Sequence, residues 1–155
     1  MYPIPDLSPA FYGHEPAACD AIADTSAWCD LSKAKGVLIT FLHYRGGDTD
    51  WVLTVHEGAT AAGTTAITTG AEFPIWVCTD ALKDPTMVRQ ADGITYTIDT
   101  GVYTGSQIVQ FYIDAAILTA GYRYVQAGCS GGNASSVAAI LYQYVGLRAK
   151  GDGCL

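Results

Sequence analysis

The chain has 155 residues, of which half are hydrophobic and 15% are charged, and its net charge is −7. A disordered chain would need the opposite balance of hydrophobicity and charge, so we expect one folded domain with its own core. The eight basic residues are scattered along the sequence. Nucleic acid and anionic membrane surfaces attract clustered positive charge, so neither is expected as a partner. The low charge also suggests that a partner covers part of the surface.

The first sixteen residues hold four of the six prolines. Proline fixes φ and removes a backbone donor, so this stretch predicts an extended N-terminal arm over residues 1–16 rather than a sheet strand. The arm also carries apolar side chains that a solvated tail would not need, namely Tyr2, Ile4, Leu7, Phe11 and Tyr12. Either the arm folds back on its own domain, or these side chains dock on a neighbouring subunit.

Residues 17–155 are predicted to form a single all-β domain. The run 37–44 is apolar on both faces, as in a strand that is covered on both sides. The turn 45–48 follows, and then an alternating strand at 51–56, so these two strands are predicted to form a hairpin. Further strands are predicted at 64–69, 73–79, 94–99, 109–114, 122–128 and 137–145.

Helix signals are confined to residues 115–120 and the start of 17–23. Many short strands separated by glycine-rich turns, such as the turn at 130–133, are typical of a β-sandwich or barrel. We predict an antiparallel β-sandwich with jelly-roll connections. About eight strands in two facing sheets would bury the alternating side chains without a layer of helices.

Acid–base catalysis has little support in the sequence. Two carboxylate pairs, Asp48 with Asp50 and Asp80 with Asp84, lie in predicted turns, where such pairs are typical of solvated loops. A glycosidase needs two carboxylates at a set separation across a cleft, which sequence alone does not establish. The turn 129–132 lacks the Gly-x-Ser-x-Gly elbow of a serine nucleophile. We therefore expect no catalytic residues and predict that the protein is not an enzyme.

Metal and cofactor sites have little support either. His43 and His56 would face each other across the predicted hairpin near Asp48 or Glu57, but ordinary cross-strand polar pairing explains this arrangement. The segment 58–65 lacks the Gly-Lys-Ser/Thr ending of a phosphate loop. Five widely spaced cysteines without a Cys-x-x-Cys pair predict free thiols in a reducing compartment: Cys19, Cys29, Cys78, Cys129 and Cys154. We expect neither a cofactor nor a metal.

Tyrosines are the best candidates for contacts with a partner. The sequence has ten, and this side chain offers both apolar area and a hydrogen bond, although it also lines sugar-binding grooves. The segment 141–144 is apolar on both faces, while a lone sandwich needs only one apolar face per strand. We therefore predict self-association, with Tyr142 and Tyr144 joining the five apolar arm residues as subunit or partner contacts.

Three segments carry a resemblance to known proteins. A strand, a Gly-Gly turn and a second strand lead into His-Glu-Gly-Ala-Thr-Ala-Ala-Gly-Thr at 56–64. Gly-Tyr-Arg-Tyr-Val at 121–125 precedes a glycine-rich turn, an alanine-rich strand at 136–145 and Gly-Leu-Arg at 146–148. The chain opens with Met-Tyr-Pro, followed by Asp6 and Leu7. In this order, the segments resemble small tailed-phage virion proteins, the capsid cement or head decoration proteins.

The resemblance implies a structural protein that binds the outer surface of a phage head where capsomers meet. Its partners would be the major capsid protein of the same virion and further copies of itself, in a trimer that matches a local threefold or quasi-threefold position on the shell. Binding only the expanded shell would stabilise that state by mass action and avidity. The opening residues lack the pattern of a signal peptide, so we expect synthesis in the host cytoplasm and a final location on the capsid surface. The alternative is a carbohydrate-binding β-sandwich module of a phage head or tail fibre.

Overall fold

The computed structural model describes residues 10–22, 26–62, 65–68, 70–99 and 105–147. Its helical segments are one short α-helix, α1 (Cys19–Ile22), and two 3-10 turns, Leu31–Lys33 and Ala115–Ile117. The strands within the described residues are β1 (Ala10–Ala18), β2 (Cys29–Asp30), β3 (Ala34–Tyr44), β4 (Trp51–Gly58), β5 (Thr65–Ala66), β6 (Ile75–Cys78), β7 (Val88–Arg89), β8 (Thr95–Ile98), β9 (Gln107–Asp114), β10 (Tyr124–Gly131) and β11 (Val137–Leu147).

The strands form two antiparallel sheets that pack face to face. The first sheet has six strands in the order β1-β11-β3-β9-β6-β7. The second has five, with β2-β10-β4-β5 in order and β8 also paired with β4. The predicted antiparallel β-sandwich is therefore confirmed.

One hydrophobic core lies between the sheets. In β9, the inward side chains of Val109, Phe111 and Ile113 are buried while their neighbours along the strand are half-buried, as the period-2 pattern requires. Aromatic rings run through the core: Phe41 meets Phe111 at 5.1 Å between ring centroids and Trp51 of the facing sheet at 6.1 Å. Burial of each such side chain stabilises the fold by about 1.5–3 kcal/mol.

A hydrogen-bonded ring around Tyr142 joins the two sheets. Tyr142 projects from β11 of the first sheet, and its hydroxyl oxygen accepts a bond of 2.7 Å from the Ala127 N–H in β10 of the second. The Ser26 hydroxyl donates to the Ala127 carbonyl at 2.5 Å and lies 3.0 Å from the Tyr142 hydroxyl. Because the Ser26 proton is used on the carbonyl, the Tyr142 O–H donates to Ser26. All four groups, namely the two hydroxyls and the N–H and carbonyl of Ala127, are therefore satisfied inside the core.

Gly13 allows β1 to lie directly against this tyrosine. A Cβ atom at Gly13 would come within 2.8 Å of the Tyr142 ring, closer than real contacts allow. The Gly13 carbonyl also accepts a hydrogen bond of 2.7 Å from the N–H of Ala27, the residue that follows Ser26. The small residue thus brings the edge strand and the Tyr142 ring together.

The predicted arm over residues 1–16 requires a correction. Residues 10–16 belong to β1, which pairs with β11 from Ala10 against Gln143 to Ala18 against Val137. Pro16 is tolerated because β1 is an edge strand and its pairing shifts register between His14 and Ala17. The domain boundary predicted at residue 17 therefore cuts through a strand, and the rest of the arm, residues 1–9, lies outside the described residues.

The predicted hairpin is also wrong, although both of its strands exist. β3 belongs to the six-stranded sheet and β4 to the five-stranded sheet, so the turn between them carries the chain across the sandwich. Both strands have a row of buried apolar side chains, and the rows face each other, as the edge-to-face contact of Phe41 with Trp51 shows. An apolar run predicts a strand, but it does not show whether that strand pairs with the next one in the same sheet or packs against it from the facing sheet.

The other predicted elements hold with changes at their ends. β10 continues to Gly131, so the first two residues of the predicted turn 130–133 are in a strand. The predicted helical segment 115–120 contains only the 3-10 turn Ala115–Ile117, which Asp114 caps. The strands β2 and β7 have two residues each, which is too short to show an alternation of apolar and polar side chains, so the sequence does not predict them.

We expect Tyr142→Phe to lower the free energy of unfolding by about 1–3 kcal/mol, because it leaves the buried Ala127 N–H without a partner and removes the hydrogen bond that the Ser26 oxygen accepts. Tyr12→Phe, at an exposed position of β1, is the matched control and should change it by less than about 0.5 kcal/mol. Urea denaturation followed by tryptophan fluorescence measures both. Equal stabilities of the two variants would contradict the bridging role of the Tyr142 hydroxyl.

Candidate functional site

The outer face of the six-stranded sheet carries apolar side chains at one end. Inward residues of β3 and β9 fill the core, so alternate residues point away from the second sheet. Leu42 of β3 lies between Ala139 of β11 and Ile108 of β9 in the strand register. These three side chains form a continuous apolar row on the face of the sheet that points away from the second sheet.

This row forms the floor of a groove of about 310 Å³, called here the sheet groove. Its rim is formed by Tyr44 and Val137, which pair across β3 and β11 and are 60% and 45% exposed. No lining residue is charged. The lining residues are Pro16, Leu42, His43, Tyr44, Ala81, Ser106, Gln107, Ile108, Val137, Ala138 and Ala139.

Two more exposed apolar side chains lie around the sheet groove. Leu82, which is 78% exposed, follows the lining residue Ala81 and borders a smaller cavity that Tyr44 shares. Tyr12, which is 55% exposed, pairs with Leu141 one row further along the sheet. A cluster of large apolar side chains exposed around an uncharged groove is typical of an interaction surface.

The same sheet face becomes polar beyond this end. The Gln110 side-chain amide donates to the Thr40 hydroxyl at 3.2 Å in the middle of the sheet. Nearer the far edge, the Arg89 guanidinium lies 4.9 Å from the centre of the Trp76 ring and also pairs with Asp92. Polar and charged side chains therefore interrupt the apolar surface in the middle of the sheet and near its far edge.

The predicted contact residues are divided between the interior and the surface. Tyr142 is fully buried, so the prediction that it contacts a partner is wrong. Phe11 is half-buried, and its ring packs on Tyr142 at 5.3 Å and on Tyr144 at 5.6 Å. Tyr144 packs against the core, and its hydroxyl interacts with the Cys29 thiol. Burial raises the pKa of the Tyr144 hydroxyl. Tyr12 is exposed, as a surface contact requires.

The three remaining predicted contacts, Tyr2, Ile4 and Leu7, lie outside the described residues. The residues that form the sheet groove were not chosen from the sequence. A signal for them was present, because the run 37–44 is apolar on both faces and supplies both Leu42 and Tyr44. The apolar outer face predicts that something covers this strand, but the sequence does not show which residues of β9 and β11 lie beside it.

The acidic residues weighed for catalysis or for metal binding have structural partners. The Glu57 carboxylate accepts bonds from the Thr119 N–H at 2.9 Å and the Thr119 hydroxyl at 2.5 Å, which hold the segment before β10. Asp48 pairs with Arg45, and Asp80 lies near the Lys83 amine. Two hydrogen bonds from Thr86 lower the pKa of Asp84.

The two histidines weighed as metal ligands lie in different sheets. His43 is in β3 and His56 in β4, and His43 stacks on the Trp51 ring at 5.7 Å. Within the described part of the chain, no three His, Cys, Asp or Glu side chains are grouped so that they could hold a metal ion.

The described cysteines are buried and form no disulfide with one another, and they lie at Cys19, Cys29, Cys78 and Cys129. Burial raises the pKa of Cys19 and of Cys29 to about 11, so both are uncharged thiols at neutral pH.

Titration of the denatured protein without reductant should find five reactive thiols, including Cys154 outside the described residues. A count of three or fewer would indicate a disulfide.

His43 lies beneath the sheet groove and has an unusual environment. It is 3% exposed, and neither ring nitrogen has a hydrogen bond of good geometry. Its register partner in β9 is Gln107, whose side-chain amide atoms are also buried without a bond. Burial lowers the pKa of His43 below 6.5; Gln107 opposes this shift, and the nearby charge of Arg45 adds to it.

A lowered pKa means that the unfolded chain binds the His43 proton more readily than the folded chain does. Its contribution to stability is therefore complete above pH 6.5 and is lost as the pH falls through the folded-state pKa. Between pH 7 and 5, we expect the free energy of unfolding to fall by at most about 1.4 kcal/mol per pH unit.

Urea denaturation at several pH values tests this expectation. His43→Leu should remove most of the slope in this pH range, whereas His14→Gln, at a half-buried position of β1, should keep it. An unchanged slope in the His43 variant would assign the pH dependence to other groups.

Comparison with known protein families, with curated proteins and with solved structures finds no match for this chain. Among the described residues, no helix is long and apolar enough to cross a membrane.

Proposed function

We propose that this protein is a structural virion protein, a capsid cement protein that binds the outer surface of a phage head at capsomer junctions and stabilises the expanded shell. The proposal rests first on the resemblance of residues 56–64 and 121–148 to that group of proteins. The major capsid protein is the partner, and the protein acts as a trimer without catalytic residues.

The observation that carries the proposal is the apolar cluster around the sheet groove. Tyr12, Tyr44, Leu82 and Val137 are all at least 45% exposed on one side of the molecule. Exposure of such a cluster to water is unfavourable, so a partner surface is its expected environment. Each of these side chains that a partner buries contributes about 1.5–3 kcal/mol before the costs of association are subtracted.

The proposed mechanism involves binding alone and no chemical reaction. A head that expands during DNA packaging exposes joints between capsomers, and a protein bound across a joint adds buried area there. Binding that is selective for the expanded lattice shifts the equilibrium toward that lattice. Many weak contacts made at once by a trimer give avidity.

We infer further that the sandwich is a jelly roll. The strands β1, β11, β3 and β9 lie in this order in one sheet, and β2, β10, β4 and β8 are joined in the other. From β1 to β4, and again from β8 to β11, each strand lies in the sheet opposite to the one before it. This wrapping is typical of jelly rolls, which occur in capsid proteins and in lectins.

Co-sedimentation with expanded and unexpanded empty heads tests the function, and Leu82→Lys is the informative variant. We expect the wild-type protein to bind expanded heads, and Leu82→Lys to weaken that binding by about tenfold or more, because a lysine would be desolvated at the contact. Leu147→Lys, at an exposed position near the end of β11, is the matched control and should bind like the wild type.

Failure of the wild-type protein to bind expanded heads would contradict the proposal. Retention on a polysaccharide resin together with that failure would favour the carbohydrate-binding alternative. Equal binding by the two leucine variants would show that the cluster around the sheet groove is not the contact surface.

A further inference from the structure

The sheet groove and the start of β1 lie at opposite ends of the six-stranded sheet. Ala10 pairs with Gln143, whereas Ala18 pairs with Val137 on the groove rim. The separation from Gln143 to Val137 is six residues, or about 20 Å along a strand. Residues 1–9, which precede Ala10, therefore join the described chain at the end away from the groove.

Nine residues that precede β1 have a limited choice of sites. In an extended polyproline conformation they would span about 28 Å. To fill the groove of its own copy, this segment would have to reverse direction immediately before Ala10 and return along the sheet. Pro9 lies at that point, and Ser8 before it is biased toward extended backbone. Binding in the groove of a second copy does not require this reversal.

The chemistry of the segment fits the sheet groove. Its sequence is Met-Tyr-Pro-Ile-Pro-Asp-Leu-Ser-Pro, with Asp6 as its single charged side chain. Proline-rich segments dock in apolar grooves beside aromatic rings, because their backbone is ordered at little entropic cost. The groove is uncharged and has the Tyr44 ring on its rim. Its volume of about 310 Å³ is suited to a few side chains of a peptide.

We propose that the N-terminal segment 1–9 of each copy occupies the sheet groove of the next copy. This inference rests on the proposed self-association and names the surfaces that produce it. The contact joins two different surfaces, so it is heterologous, and three such contacts close into a ring. Tyr2, Ile4 and Leu7 would supply the apolar side chains, and Leu42, Ile108 and Ala139 would receive them.

Light scattering of the purified protein gives the first test. We expect a trimer for the full-length protein and a monomer when residues 1–9 are deleted, which leaves all of β1 in place. Val137→Lys, on the groove rim, should also give a monomer. Val88→Lys, in β7 at the other edge of the same sheet and 55% exposed, is the matched control and should remain a trimer.

A peptide of residues 1–9 gives the second test. Labelled with a fluorophore at its C-terminus, it should bind the protein that lacks residues 1–9, and Val137→Lys in that protein should weaken binding by about tenfold or more. Circular dichroism of the truncated protein checks that the sandwich is folded. No binding by the folded truncated protein would overturn the proposal.

The other outcomes are equally decisive. A full-length monomer whose truncated form binds the peptide would place the segment in its own groove and overturn exchange between copies. A truncated protein that remains a trimer and still binds heads would contradict this inference alone. A trimer that depends on residues 1–9 but does not bind expanded heads would contradict the proposed capsid function alone.

Discussion

The hydrogen bonds of the Tyr142 hydroxyl are the interaction on which the packing of the two sheets depends most. The hydroxyl accepts a hydrogen bond from the Ala127 N–H of β10, beyond the two residues, Tyr124 and Val125, with which β2 pairs. Burial is the main reason that the pKa of Tyr142 rises to about 12, so the group stays a neutral donor and acceptor at physiological pH. Sheet packing is otherwise non-directional, and this ring of bonds fixes how the two sheets are placed.

The same strand that supplies this interior bond also supplies the outer surface. In β11, Ala138, Ile140 and Tyr142 are buried in the core, while Val137 and Ala139 line the sheet groove. A strand with two apolar faces has a continuous apolar run in its sequence, as residues 137–142 do. Its inner face is required for folding, so its outer face is available for association without a cost to the core.

The alternating strands were predictable because a half-buried strand has a period of two, as residues 109–113 illustrate. The partners of each strand were not, because the turn 45–50 can equally reverse a chain within a sheet or carry it to the facing sheet. Tyr142 was assigned to the surface because a tyrosine in an apolar strand gives no sign of which face it occupies. The sheet groove was missed for a similar reason: Leu42, Ile108 and Ala139 are far apart in sequence, and only strand register brings them together.

The irregular edge of β1 limits the size of any assembly that this protein forms. A straight, regular edge strand would offer its free N–H and C=O groups to another edge, and sheets would then join without end into fibres. The register shifts from Tyr12 to Ala17, with Pro16 among them, interrupt that row of groups. Backbone pairing with another strand is therefore disfavoured at this edge, which protects the sheet against edge-to-edge aggregation.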